Sequence, residues 1–203
     1  MWARFRPEEL ATPQAFQRNP RLVWEWYAWR RSIINKSQPN PGHLALARME
    51  EFVPNFTLIT QNVDGLHVRA GSRRVIELHG NIYRVKCSRD GLLAAEWDDR
   101  QEMPPRCPVC GDLLRPDVVW FGEMLPAQAL SLAQQASADC QVFLVIGTSG
   151  VVEPAASLAR LALEREAVLV EINPADTPLT PLADFVLRGL SGEILPALVD
   201  SVW

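Results

Sequence analysis

The stretches QVFLVIGTSG (residues 141–150) and AVLVEINPAD (residues 167–176) decide the fold class. Each contains a nearly continuous run of apolar residues and ends in a turn of polar residues, proline or glycine. Continuous apolar runs of this length are typical of strands that are buried on both faces of a parallel sheet. The residues between them, 154–166, have the apolar spacing of a helix. The order strand, helix, strand therefore predicts an α/β protein with a parallel sheet.

The rest of the chain continues this alternation of strands and helices. Three further strands are predicted from runs of β-favouring residues in FTLITQNVD (56–64), RVIELHG (74–80) and DFVLRG (184–189). Three further helices are predicted from apolar spacing in HLALARMEEF (43–52), ALSLAQQASADC (129–140) and GEILPALVDSV (192–202). The stretch LLRPDVVWFGE (113–123) is predicted to be extended. We therefore expect a Rossmann-like, doubly wound parallel sheet.

Two segments of the chain do not fit this alternation. Residues 7–36 are predicted to be helical, with Thr12 as a candidate cap, and we interpret them as a lid. Residues 81–111 hold three cysteines, a proline pair and an acidic stretch, which is typical of a small inserted module. The predicted organisation is a helical lid (1–38), a first Rossmann-like part (39–80), a zinc-ribbon-like insert (81–111) and a second Rossmann-like part (112–203).

The composition excludes several classes of protein. The 203 residues carry a formal net charge of −4, whereas a general nucleic-acid-binding protein needs a basic face. No run approaches the roughly 18 consecutive apolar residues of a membrane span. The first residues, MWARFRPEEL, lack the apolar core of a secretory signal. We expect a cytoplasmic monomer that binds neither nucleic acid nor membrane.

Three of the four cysteines, Cys87, Cys107 and Cys110, lie close together in the sequence. In a cytosolic chain such a cluster favours a metal over a disulfide. Cys107 and Cys110 form a C-x2-C pair, and Asp90 stands where a zinc ribbon has the partner of Cys87. One interpretation is a structural zinc bound by these four residues, and the other is a degenerate module without metal.

Three polar turns follow predicted strands: TQNVDGLH (60–67), IGTSG (146–150) and INPAD (172–176). In an open parallel sheet, ligands bind beyond the carboxyl ends of the strands, so these turns form a candidate ligand site. The first turn is rich in hydrogen-bonding groups, namely Gln61, Asn62, Asp64 and His67. Such residues also cap helices and make turns, so a purely structural role stays open.

Two further groups at strand ends are suited to nucleotide chemistry. His79 ends a predicted strand, and imidazole titrates near neutrality, so it can take a proton from a ribose hydroxyl within hydrogen-bond reach. Thr148 and Ser149 offer hydroxyls and backbone N–H groups to a nucleotide phosphate. A structural role for His79 is the alternative.

The order and spacing of these motifs resemble the sirtuin family. TQNVDGLH, ELHG, the cysteine module, VVWFGE and GTSG follow one another as they do in sirtuins. The resemblance implies an NAD-dependent enzyme that transfers the acyl group of an acyl-lysine protein or peptide to ADP-ribose and releases nicotinamide. It implies that His79 is the general base. It assigns nicotinamide and ribose contacts to Gln61, Asn62 and Asp64, phosphate and ribose contacts to Gly147, Thr148 and Ser149, and adenosine contacts to Asn173 and Ser191.

The resemblance also implies how the substrate is chosen. The segment that would bind an extended peptide by β-augmentation consists of Val118, Val119, Trp120, Phe121 and Gly122. Tyr27 and Arg30 are three residues apart on one face of a predicted helix. This pair is similar to that of sirtuins that remove succinyl and malonyl groups, and we expect it to bind a carboxylate. A solvated arginine beside a packed tyrosine is the alternative that the residues alone leave open.

The sequence departs from the family at Asp90, which stands in place of a cysteine, at Glu153, where relatives often have tyrosine, and most seriously at its start. Sirtuins begin with a strand and a glycine-rich loop that holds the NAD phosphates, and this sequence aligns from just after that segment. We therefore expect an N-terminally truncated chain in which the first strand and the loop are missing. NAD hydrolysis without an acyl acceptor is an alternative function. An impaired remnant that still binds NAD or peptide is another.

Overall fold

The computed structural model describes residues 6–98, 100 and 102–203 of the chain. These residues divide into two compact units. The first unit contains the chain up to Gln38, Asn62–Gly65 and His79–Leu125, and the second contains Pro39–Gln61, Leu66–Leu78 and Pro126–Trp203. The first unit thus includes both the predicted lid and the predicted insert. It also includes residues 112–125, which the sequence groups with the second Rossmann-like part.

Helices and strands alternate along most of the chain. The helices are α1 (Pro7–Leu10), α2 (Pro13–Arg18), α3 (Pro20–Ile34), α4 (Pro41–Phe52), α5 (Leu66–Arg69), α6 (Ala127–Asp139), α7 (Ser157–Glu164) and α8 (Ser191–Val202). The strands are β1 (Leu58–Thr60), β2 (Val75–Glu77), β3 (Gly80–Cys87), β4 (Leu114–Val118), β5 (Val142–Ile146), β6 (Val168–Ile172) and β7 (Phe185–Leu187). The predicted helices and strands are confirmed, with α5 and β3 as additional elements.

The described residues were also searched for membrane spans. None of their helices is both long and apolar enough to cross a bilayer.

The second unit contains the parallel strands. β1 pairs with β2, and β5, β6 and β7 pair in that order, all in parallel. The predicted parallel pairing is confirmed, although the ladders of the described residues form two sheets rather than one. Side chains of both sheets share one apolar cluster, in which Leu58 of β1 and Ile172 of β6 pack with Met49 of α4 and Leu195 of α8. Burial of each such side chain contributes about 1.5–3 kcal/mol.

Two close contacts position the ends of elements in this unit. The buried carboxylate of Glu50 on α4 accepts hydrogen bonds from the backbone N–H groups of Arg73 at 2.8 Å and Arg74 at 3.1 Å, which holds the entry to β2. At the start of the same helix, a Cβ on Gly42 would lie 2.8 Å from the carbonyl oxygen of Ser191. Only glycine allows this approach. Because Gly42 has no side chain, the first residue of α8 lies directly against α4.

Three short-range signals define the helices of the first unit. Each of α1, α2 and α3 begins with proline, which suits the first helical position because that N–H has no partner within the helix. Thr12 accepts a hydrogen bond from the N–H of Ala15 at 3.1 Å, so the predicted cap is confirmed. Asn19 caps α3 in the same way, through the N–H of Leu22 at 3.1 Å.

Helix α3 buries side chains on two faces. On one face, Val23, Trp26 and Tyr27 pack with Ile82 of β3 and with Trp120.

On the other face, the fully buried Trp24 packs against the cysteine-containing module. Its cluster contains Val85, Cys87, Cys107 and Leu114, with Trp97 at its edge. The indole rings of Trp24 and Trp97 meet edge to face, with centroids 5.3 Å apart. The module therefore shares its apolar interior with α3.

The extended stretch predicted for residues 113–123 is shorter in the structure. Strand β4 pairs with β3 in antiparallel fashion and ends at Val118. The chain then turns, and the N–H of Glu123 donates to the carbonyl of Trp120 at 2.9 Å. The strand ends there because the carboxylate of Glu123 reaches back to the N–H of Trp120 at 2.9 Å.

Candidate functional site

Polar groups from three strand ends meet at Thr148 in the second unit. Gln61, which follows β1, donates from Nε2 to Oγ1 of Thr148 at 3.4 Å. Asn173, which follows β6, donates from Nδ2 to the carbonyl oxygen of Thr148 at 2.8 Å. Thr148 itself lies in the turn after β5. The structure therefore brings together three of the residues that the sequence predicts as cofactor contacts.

Glycines with positive φ angles flank Thr148 in this turn. Gly147 and Gly150 have φ angles of +60° and +66°, a conformation that favours glycine. Oγ1 of Thr148 accepts the N–H of Gly150 at 3.3 Å, and Ser149 is exposed. Apart from the two chain neighbours, no described residue has an atom within 4 Å of a Cβ on Gly147, so there is space for a ligand beside it.

The remaining residue of this unit that is predicted to contact the cofactor is Ser191. It is the first residue of α8 and is half-buried. His67, which shares the first polar turn in the sequence, lies in α5, where its ring centroid is 4.6 Å from that of His43.

In the first unit, backbone hydrogen bonds bring three predicted segments together around His79. The carbonyl of His79 accepts the N–H of Val119 at 2.9 Å, so the predicted base lies beside the predicted peptide-binding segment. The N–H of Ile82 donates to the carbonyl of Val63 at 2.9 Å, which holds the Asn62–Gly65 turn against the start of β3. His79 and Asp64 are half-buried, and Asn62 is exposed.

Gly80 allows this arrangement. Its φ is +77°, and a Cβ at this position would lie 2.1 Å from the carbonyl oxygen of Asp117. β3 and β4 can approach this closely only with glycine here. The backbone therefore bends directly after His79, at the point where the antiparallel pairing with β4 begins.

An ion pair that sequence reasoning missed supports the segment Val118–Gly122. Arg115 donates to both carboxylate oxygens of Glu123, at 2.5 and 2.9 Å, and to the carbonyl of Val118 at 3.0 Å. Its guanidinium carbon lies 3.3 Å from the ring centroid of Trp120. Burial alone would raise the pKa of Glu123, but hydrogen bonds from Arg115 and Trp120 hold the pKa below its usual value. In the sequence, this ion pair is indicated only by an arginine and a glutamate on either side of VVWF.

Tyr27 and Arg30 lie on one face of α3, as predicted from their spacing. Tyr27 is fully buried, and its hydroxyl oxygen accepts a hydrogen bond from Nε1 of Trp120 at 3.0 Å. Burial raises the pKa of Tyr27 to about 12, so its hydroxyl stays protonated near neutrality.

The guanidinium of Arg30 is held by aromatic rings. Its central carbon lies 4.8 Å from the ring centroid of Trp26 and 5.7 Å from that of Tyr27. Within the described residues, no carboxylate lies at ion-pair distance from Arg30, which is half-buried. A partly buried guanidinium without an acidic partner is suited to bind an anion from outside the chain.

The structure brings the three cysteines of the first unit together. The sulfur atoms of Cys87, Cys107 and Cys110 lie within 4.8 Å of one another, and those of Cys87 and Cys110 are 3.5 Å apart. Tetrahedral zinc with Zn–S bonds of about 2.3 Å requires sulfur separations of about 3.8 Å. The three thiols therefore fit such an ion.

Two turns with the same backbone carry these cysteines. In one, the N–H of Gly91 donates to the carbonyl of Cys87 at 3.0 Å, and in the other the N–H of Gly111 donates to that of Cys107 at 2.9 Å. The two glycines have φ angles of +74° and +76°. Asp90 therefore occupies, in the first turn, the position that Cys110 occupies in the second.

The carboxylate of Asp90 has a different partner in the structure. It accepts the N–H of Leu92 at 2.9 Å. Among the described residues, the group of clustered metal-ligating side chains consists of the three cysteines without Asp90.

The fold and the site define a Rossmann-like α/β protein with polar turns at its strand ends and a cysteine module. The Sir2 family model matches residues 1–154. The chain therefore belongs to the Sir2 family.

Relatives and solved structures agree with this assignment. An NAD-dependent protein deacylase of Aquifex aeolicus (strain VF5) is 59% identical over 201 residues, which are 98% of this chain and 84% of the relative. A crystal structure of a Sir2 homolog–NAD complex is 50% identical with a TM-score of 0.92, and the match covers 100% of this chain and 79% of that one. A structure of Sir2 bound to acetylated peptide is 31% identical with a TM-score of 0.87, covering 95% and 83%.

Proposed function

We propose that this chain is an NAD-dependent protein lysine deacylase. The observation that carries the proposal is the convergence of Gln61 and Asn173 on Thr148, from three strand ends of a Sir2-family chain. Strand-end turns of open parallel sheets are the positions at which such folds bind nucleotides. The deacylase from Aquifex aeolicus and the NAD complex of the Sir2 homolog support both the reaction and the cofactor.

In this proposal, the second unit binds most of the cofactor. The turn Gly147–Ser149 contacts the phosphates and a ribose, with Thr148 and Ser149 donating their backbone N–H groups and hydroxyls. Asn173 and Ser191 bind the adenosine end, and Gln61 binds the nicotinamide and its ribose. The open space beside Gly147 supports this role, because a phosphate needs direct access to the backbone.

The residues around His79 act on the reacting ribose. NAD supplies the ribose that accepts the acyl group as nicotinamide leaves. The imidazole of His79 takes the proton from a ribose hydroxyl, which makes that hydroxyl nucleophilic. Asn62 and Asp64 hold the nicotinamide and the ribose. The backbone bond between His79 and Val119 supports the assignment because it places the base beside the peptide-binding segment.

The second substrate is an acyl-lysine peptide or protein that binds along Val118–Gly122. The Sir2 neighbour bound to acetylated peptide supports this class of substrate. The pairing of Arg115 with Glu123 makes the segment rigid before a peptide arrives, which reduces the entropy lost on binding.

The acyl group is proposed to be acidic, such as succinyl or malonyl. Arg30 has no acidic partner among the described residues and lies against the ring of Tyr27. The hydroxyl of Tyr27 is protonated, accepts a hydrogen bond from Trp120 and keeps its own proton to donate. A guanidinium and a phenol together supply the donors that a carboxylate requires.

The proposed function is tested by incubating the chain with NAD and a succinyl-lysine peptide and measuring nicotinamide and the deacylated peptide. We expect both products in equal amounts, and neither when NAD is omitted. Nicotinamide released at the same rate without peptide would show NAD hydrolysis instead. Binding of NAD and peptide by calorimetry without any product would show a chain that binds both but does not catalyse their reaction.

Replacement of Arg30 by methionine tests the acyl preference. We expect kcat/KM for succinyl-lysine peptide to fall by about tenfold or more, because a charge-assisted bond to the acyl carboxylate is lost. The value for acetyl-lysine peptide should change by less than about twofold, since that acyl group has no carboxylate. The matched control is Arg18→Met at an exposed arginine. Equal losses for both peptides, or no loss for succinyl-lysine, would contradict the acidic preference.

We propose further that Cys87, Cys107 and Cys110 bind a structural zinc, with Asp90 in the fourth position. The distances between the thiols and the matching backbones of the two turns support this proposal. The carboxylate of Asp90, which accepts the N–H of Leu92 in the structure, would leave this partner to hold the ion.

Replacement of Asp90 by cysteine should therefore increase zinc affinity by about tenfold or more, because a fourth thiolate completes the tetrahedral set on a backbone that already has the required shape. Competition with a chromophoric chelator measures the affinity. Ser88→Cys adds a thiol within the same turn at an exposed position and should leave the affinity unchanged. If both variants bind zinc as the wild type does, Asp90 does not stand at the fourth position.

A further inference from the structure

Glu171 is a fully buried carboxylate on β6, the central strand of the three-stranded sheet. Its partners in register are Val145 on β5 and Val186 on β7. Burial raises the pKa of a carboxyl, but hydrogen bonds from Thr177 and Thr180 and the charge of Arg188 outweigh this effect and lower the pKa of Glu171. The group is therefore ionised inside the unit, and an ionised buried group costs free energy unless its partners compensate for it.

Two threonines from the loop after β6 supply these partners. Oγ1 of Thr177 donates to one carboxylate oxygen of Glu171 at 2.5 Å, and Oγ1 of Thr180 donates to the other at 2.6 Å. Each hydroxyl oxygen also accepts a backbone N–H, that of Leu179 at 3.0 Å and that of Thr177 at 2.8 Å. Since each hydroxyl is used as donor and as acceptor, the loop has one well-defined conformation around the carboxylate.

Arg188 connects the same carboxylate to the turn that carries Asn173. Its Nη1 lies 3.5 Å from Glu171 and donates to the carbonyl oxygens of Asn173 at 3.3 Å and Ala175 at 3.0 Å. The side chain of Asn173 in turn donates to the carbonyl of Thr148 at 2.8 Å. A continuous series of hydrogen bonds therefore runs from Glu171 to the Gly147–Ser149 turn.

Packing provides a second connection to that turn. A Cβ on Gly150 would lie 3.2 Å from Cγ of Leu179 and 3.5 Å from Oγ1 of Thr177. The loop fixed by Glu171 therefore lies close beside Gly150, and a side chain at that position would contact Leu179 and Thr177.

We propose that Glu171 is a positioning residue for the cofactor-binding turns of the second unit. Through Arg188 it sets the position of Asn173, and through Thr177 and Thr180 it fixes the loop that lies beside Gly150, so that the geometry offered to the adenosine and phosphate parts of NAD depends on one buried carboxylate. The inference rests on the proposed function of these turns. Glu171 itself is fully buried and acts only through these residues.

The test removes the hydroxyls that donate to Glu171 and leaves the side-chain shape nearly unchanged. In the double variant Thr177→Val/Thr180→Val, we expect the Kd and KM for NAD to rise about tenfold, with kcat changed by less than about twofold. The double variant Thr177→Ser/Thr180→Ser keeps both hydroxyls and should retain the wild-type Kd. Thr57→Val makes the same chemical change at an exposed threonine and serves as the matched control.

NAD binding is measured by calorimetry, and folding by thermal unfolding of the same samples. If the double valine variant does not fold, the single variant Thr180→Val, which keeps the bond from Thr177, is measured in its place and should also bind NAD more weakly. Valine variants that fold and bind NAD as the wild type does would overturn the inference while leaving the proposed function intact. A wild-type chain that binds no NAD would overturn both.

Discussion

Replacement of His79 by alanine is expected to reduce the rate of acyl transfer by about 10²- to 10⁴-fold, the usual contribution of a general base. The proposed role of His79 begins after nicotinamide has left, because the imidazole then takes a proton from the ribose hydroxyl. Exchange of labelled nicotinamide into NAD, in the presence of acyl-lysine peptide, should therefore persist in this variant. Both rates can be measured on the same samples by mass spectrometry.

The chain offers a matched control, since it contains three histidines in all. His43→Ala makes the same change on α4, in the other unit, and acyl transfer should remain within about twofold of wild type. The assignment fails if His79→Ala transfers the acyl group at the wild-type rate. It also fails if exchange and transfer fall by the same factor, because His79 would then act before or during the departure of nicotinamide.

Replacement of Gly80 by alanine is expected to lower the free energy of unfolding by about 3–5 kcal/mol, at the upper end of single-residue effects. The Cβ would lie 2.1 Å from the carbonyl oxygen of Asp117, which is backbone and cannot move aside as a flexible side chain would. The φ of +77° adds a further penalty for any residue with a Cβ. Because Gly80 follows His79, any variant that folds should also have lost acyl transfer.

Gly122 provides the comparison for this variant. Its φ is +86°, but no described atom lies within 4 Å of a Cβ there, so Gly122→Ala has the conformational penalty of about 1–2 kcal/mol without the clash. Thermal and urea unfolding of the two variants separate the effects. If Gly80→Ala unfolds at the same urea concentration as Gly122→Ala, the close approach of β3 and β4 is not required for stability.

The parallel strands could be predicted from the sequence because their signal is local. β5 and β6 are continuous apolar runs, and each ends in a polar turn. The cap at Thr12 is likewise a signal that spans three residues. By contrast, the end of β4 could not be predicted, because VVWF is apolar past Val118. The strand stops where the Glu123 carboxylate binds Arg115 and the N–H of Trp120.

In the candidate site, too, features with a local sequence signal could be predicted, and features that depend on distant residues could not. The motif residues Asn62, Asp64 and His79 could be predicted from their order along the chain, and their roles stay predictions. Glu171 could not be predicted, since a glutamate in the run VLVEI gives no sign that its hydrogen-bonding partners lie at Thr177, Thr180 and Arg188. Nor does the sequence show that the hydroxyl of Tyr27 binds an indole 93 residues away.

The packing of Trp24 against the cysteines means that the small module shares its core with α3 and cannot be removed without affecting this helix. The same helix carries the indole on one side and, within two further turns, Tyr27 and Arg30. Excising the module would remove the side chains that bury Trp24 and would expose its indole to solvent. Grafts between family members should therefore transfer α3 and the module together, so that Trp24 keeps the side chains that bury it.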